Sequence, residues 1–137
     1  MRDLFHNLDM VGQVAPTSVT SDTTTTGSTL TRDESFGLVG VLQVGSYSGG
    51  EFHLQVEHAD DDGSGNPGTF SEVPDKDLIG TEEGTLLSGA GISMVGYVGG
   101  KEYVRFNVVS LGGASGSVSA AAFKGYLNKA PAESQTA

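Results

Sequence analysis

Residues 51–58 read EFHLQVEH, and the alternation is strict. Phe52, Leu54 and Val56 fall on one parity; Glu51, His53, Gln55 and Glu57 fall on the other. Only an extended strand separates consecutive side chains onto opposite faces, so this stretch folds as β-strand with one face against a core. The same alternation recurs in KEYVRFNVV, residues 101–109, where Val104, Phe106 and Val108 point inward and Tyr103, Arg105 and Asn107 point outward. Around these lie FGLVGVLQVG, GTFSEV, ISMVGYVG and GSVSAAAFKGYL, all apolar or β-prone runs of strand length. They give six strands, with a seventh or eighth in the threonine region or in GTLLSG. Gly99–Gly100 suits a two-residue hairpin turn between two of them.

No stretch carries the 3.6-residue period of an amphipathic helix. The 21 glycines are dispersed between the apolar runs, as turns between strands require. The fold class is therefore all-β, an antiparallel β-sandwich or barrel. The expected core is Phe36, Leu38, Leu42, Phe52, Leu54, Val56, Val104, Phe106, Val108 and Val118. The expected organisation is residues 1–35 as an N-terminal arm with a threonine-rich strand or linker, 36–127 as the sandwich, and 128–137 as a mobile tail. Within the arm, Leu4, Phe5, Leu8 and Met10 are apolar anchors, set to form a short helix or to pack on a partner.

Charge narrows the partners. Seventeen acids against seven Lys and Arg give a net charge of −10. Nucleic acid and anionic membrane both need a basic face, so neither is expected. No apolar run approaches the ~20 residues of a membrane-spanning helix. The first ten residues lack the apolar centre of a secretory signal, which points to synthesis in the cytoplasm. Without cysteine, thiolate chemistry and disulfides are excluded.

The stretch ADDDGSGNPGTF, residues 59–70, offers three competing readings. A GxGxxG pattern spans Gly63 to Gly68, but Pro67 lies inside it, a β-like segment follows, and Asp60, Asp61 and Asp62 would repel a phosphate. Calcium would find hard oxygen ligands, yet consecutive aspartates diverge, unlike the alternate acids of a calcium loop. A solvated turn uses Asp, Gly, Asn and Pro each in its ordinary role, and is the preferred reading. His58, on the inward parity, is set to anchor this loop by a hydrogen bond. His6, His53 and His58 have no metal spacing. No nucleophile elbow and no spaced carboxylate pair marks a reaction centre, so no enzyme and no cofactor is expected.

The order of GSYSGGEFHLQVEHADD, FSEVPDKDLIG, VGYVGGKEYVRFNVV and GSVSAAAFKGYL resembles a family of tailed-bacteriophage capsid decoration, or cement, proteins. The likeness covers residues 39–127. It rests on the His-x-Asp-Asp strand end, the V-x-x-x-D-L-I-G connection from Val73 to Gly80, and the G-x-K-x-Y-V-R strand from Gly99 to Arg105. The alanines at 120–122 and the longer loop at 63–68 depart from it. The resemblance implies a jelly-roll-like sandwich that binds the major capsid protein on the outer surface of the shell as a dimer or trimer. It makes Leu4, Phe5, Leu8, Met10, Tyr47, Asp60, Asp61 and Asp62 the candidate contacts. A glycan-binding sandwich and a low-copy tail or neck protein are the alternatives.

Overall fold

The computed structural model describes residues 8–32 and 37–125. In chain order the strands are β1 (Leu8–Val19), β2 (Thr23–Thr25), β3 (Leu30–Thr31), β4 (Gly37–Ala59), β5 (Ser71–Glu72), β6 (Leu78–Ile79), β7 (Gly91–Tyr97) and β8 (Tyr103–Gly125). Two single 3-10 turns, Asp75–Asp77 and Glu83–Thr85, are the only helical segments among the described residues. The all-β antiparallel sandwich expected from the alternation is the fold observed.

Its frame is one ribbon. β4 and β8 run 23 residues each and pair antiparallel from Gly37↔Gly125 to Ala59↔Tyr103. A straight strand of that length would reach roughly 75 Å, while a domain of this size has a radius of gyration of only ~14 Å. The ribbon must therefore bend. The register slips between Val44 and Glu51, opposite Leu111–Val118, and the bend lies there. Gly50, Gly112 and Gly113 take positive φ at the bend, and a Cβ on Gly50 would sit 2.3 Å from the Ala114 Cα. In sequence, this ribbon falls into four separate strand-length runs. The backbone stays extended through the slips, so β4 and β8 each join two of them.

Folding the ribbon over brings its halves face to face, the jelly-roll-like feature of the fold. One layer holds β6, β7, the first part of β4, the last part of β8, and β1. The other holds β5, the rest of β4, the first part of β8, and the short β2 and β3. Phe106 in the second layer lies against Gly40 in the first, so closely that a Cβ on Gly40 would be 2.3 Å from the phenyl ring. Leu38, Leu42, Phe52, Leu54, Val56, Val104, Phe106, Val108 and Val118 are all buried, as their parity requires. Phe36 lies outside the described residues.

Three expectations change. From Leu8 onward the supposed arm is a strand, paired with β8 from Leu8↔Gly125 to Val19↔Gly116. Residues 8–32 thus supply β1, β2 and β3 to a sandwich expected to start at residue 36. The edge of β8 needs a hydrogen-bonding partner, and this segment is the chain that provides it. Gly99–Gly100 does not close a hairpin, because β4 already occupies the adjoining edges of both β7 and β8. The connection instead crosses between layers. Finally, of the two places open to a further strand, the threonine region takes it, as β2 and β3, while GTLLSG forms a 3-10 turn with one bridge, Phe52↔Leu87.

Candidate functional site

The acidic loop at the end of β4 folds onto its own backbone. The Asp61 Oδ1 accepts the amides of Gly63 (2.9 Å) and Gly65 (3.0 Å), and the Asp62 Oδ1 accepts those of Ser64 (2.7 Å) and Asn66 (3.4 Å). Carbonyl acceptors close the loop base, with Gly68 N–H on Asp60 at 2.8 Å and Asp62 N–H on Asn66 at 2.8 Å. The amide donors hold the Asp61 carboxyl below the ordinary carboxylate range. The amides a phosphate would use in the GxGxxG stretch are thus already bonded to carboxylates. Asp60 meets Lys101 Nζ at 3.0 Å in an exposed pair. All three aspartates lie at the surface.

His58 is buried, and its bond runs elsewhere than expected. Its Nδ1 lies 2.9 Å from the Tyr97 hydroxyl, tying β4 to β7, with the two rings edge to face. Burial, and then the charge of Lys101, lower its pKa. Tyr47 is half-buried at the bend. Its hydroxyl donates to the Gly50 carbonyl at 2.6 Å and its ring meets Phe52 edge-on. Leu4 and Phe5 lie outside the described residues. Leu8 and Met10 stand on β1, and Met10 is 57 % exposed opposite Phe123.

The outward row of the second layer is covered, contrary to its polar composition. Arg105 bonds Glu57 at 2.9 Å and stacks on the Phe70 ring, 4.0 Å from its centroid. Asn107 is buried. Its side chain donates to Gln55 and Glu57 and accepts the Gly27 amide at 2.8 Å. The Tyr103 hydroxyl donates to the Gly65 carbonyl, so the acidic loop's backbone helps bury that ring. Polar side chains are sequestered here because each finds a partner.

A carboxyl pair that no sequence spacing marks closes the free edge of β4. Glu82 Oε2 accepts the Val56 amide at 2.6 Å, Thr85 Oγ1 accepts the Leu54 amide at 2.8 Å, and Leu87 exchanges both backbone bonds with Phe52. Residues 82–87 thus stand in for a strand, with two side chains replacing carbonyls. Burial raises the Glu82 pKa to about 7. The Val56 amide opposes this, and the neighbouring Glu72 carboxyl, which shares a hydrogen bond with it, adds to it.

The outer face of the first layer is the other unforeseen feature. Pairing places Met10, Phe123, Val39 and Gly96 in one row, with Ile79 beside Gly96, and Val41 and Met94 in the next. Ile79, Ile92 and Met94 are each about two-thirds exposed. An open groove of about 510 Å³ runs among Leu8, Val39, Ile79, Met94, Val98 and Phe123. The sequence did hold a signal: in GISMVGYVG both parities are apolar, whereas a strand with one solvated face alternates.

No family model matches the chain, and no curated protein matches it. Among solved structures it is similar to the SPBc2 prophage-derived protein YomS, at 16 % identity and TM-score 0.47, over 85 % of this chain and 93 % of that one. It is also similar to part of a structure of infectious bursal disease virus, Gx strain, at 13 % identity and TM-score 0.46, covering 90 % of this chain and 34 % of that one. A Bacillus endospore appendage structure matches at 6 % identity and TM-score 0.38, over 88 % of each chain.

Proposed function

We propose that this chain is a structural protein of a phage virion that binds the outer surface of the capsid and stabilises the shell, without catalysing a reaction. The observation that carries this reading is the ordered set of motifs shared with decoration proteins, which falls on the framework of the sandwich. The His-x-Asp-Asp segment ends β4, the Val73–Gly80 connection leads through β6, and the Gly99–Arg105 motif opens β8. The −10 charge suits a protein that stays dispersed until it meets its shell. Many copies on a repeated surface let modest contacts add up. The acidic loop and residues 1–7, with Leu4 and Phe5, are the candidate grips on the major capsid protein. A glycan-binding role gains little support, since Tyr97 and Tyr103 are buried and the Tyr47 hydroxyl is already bonded.

The test is sedimentation of purified protein with empty mature capsids, with copy number counted per particle. Hundreds of copies, together with greater resistance of the shell to heat, support decoration. A dozen or fewer assigns the protein to the tail or neck. No binding to shells overturns the proposal.

A further inference from the structure

We infer that the outer face of the β6-β7-β4-β8-β1 layer is an interface between two copies of this chain, packed sheet to sheet. This stands apart from the capsid reading and does not depend on it. The first support is size. The exposed surface of Met10, Ile79, Ile92, Met94 and Val98 amounts to roughly 600 Å², near the ~800 Å² each partner contributes to a standard interface and at the top of what monomers leave bare. The second is charge. Among the described residues, the pairing register places no Asp, Glu, Lys or Arg in the rows of this face. Two chains at −10 repel each other over most approaches, and a neutral face is where they meet at least cost. A basic partner attracted by the net charge would instead be met by the acidic surfaces.

The third support is shape. Ile79 packs over Gly96, and the open groove continues between Val39 and Phe123, bordered by the two-thirds-exposed Met94. A face that carries both a projecting side chain and a groove can seat each copy's side chain in the other's groove about a two-fold axis, the arrangement of a closed dimer. Sheet faces pack well on each other at ~10 Å.

Sedimentation velocity or light scattering on the full chain, from one to tens of micromolar, tests this. The wild type is expected at twice the 14.1 kDa chain mass. Met94→Asp and Ile92→Asp, both at exposed positions, are expected at one chain mass with unchanged circular dichroism. Mixing Met94→Asp with Met94→Lys is expected to restore the two-chain species. A wild type that remains a single chain at tens of micromolar overturns the inference, as does a three-chain mass. A dimer that survives the double Met94→Asp/Ile92→Asp substitution also overturns it. Capsid binding is measured separately, so failure of the decoration reading leaves these outcomes unaffected.

Discussion

Replacing Glu82 with Gln should make the protein more stable at pH 8 and leave it almost unchanged at pH 4. Glu82 is buried against the β4 edge, with one oxygen on the Val56 amide and its carboxyl hydrogen-bonded to that of Glu72. Its pKa rises from the ordinary 4.5 to about 7. That corresponds to a preference of ~3 kcal/mol for the neutral carboxyl, which solvent on the exposed Glu72 side reduces to ~2 kcal/mol. The folded state holds this proton after the unfolded chain has released it. The contribution is therefore complete below pH 4.5, falls through the interval to pH 7, and is absent above it. Gln is neutral throughout. Its carbonyl still accepts from Val56 and its amide still donates to Glu72.

His58 works in the opposite direction. Its lowered pKa adds stability as pH rises through 6.5, but wild type and variant share that term, so it cancels in their difference. Urea unfolding at half-unit steps from pH 4 to pH 8 measures that difference. It should grow from near zero to ~2 kcal/mol, roughly 6–10 °C in Tm at pH 8. A variant less stable than wild type at pH 8, or a difference that does not change with pH, would refute the buried-pair argument.

Phe106→Ala should cost about 3–5 kcal/mol and Gly40→Ala about 1–3 kcal/mol, while the double variant should cost less than their sum, since each relieves the other across the layers; simple additivity in chemical denaturation would show that the ribbon halves do not meet there. Changing Asp60, Asp61 and Asp62 together to Asn should leave the circular dichroism unchanged and the melting temperature within a few degrees, because Asn oxygens still accept the loop amides; a rise of many degrees in wild-type Tm with micromolar calcium would restore the metal-loop reading. Deleting residues 1–16 should strip β1 from the β8 edge and yield a destabilised, aggregating protein, whereas deleting residues 1–7 should leave the fold intact and weaken capsid binding; a stable, soluble product of the longer deletion, seen by melting and size exclusion, would contradict the role given to β1.

Facing was determined by the sequence itself. In β4 and β8 each residue's direction follows from its neighbours through the pleat, so period-two alternation placed Phe52, Leu54, Val56, Val104, Phe106 and Val108 in the core without knowledge of their partners. Turn chemistry is equally local, and the self-bonded loop of Asp61 and Asp62 follows from four or five adjacent residues. Pairing is not local. Whether residues 37–45 and 51–58 are two strands or one bent strand depends on what lies opposite, 46 to 88 residues away in the chain. The same holds for β1, whose scattered apolar residues become a strand only because β8 presents an unfilled edge. Glu72 and Glu82 became a carboxyl pair because separate loops converge on one edge of β4. The apolar outer face needed five strands in register before Met10, Val39, Ile79 and Met94 lay side by side. Tertiary structure decided these features because each joins residues distant in sequence, and no local pattern records a distance across the fold.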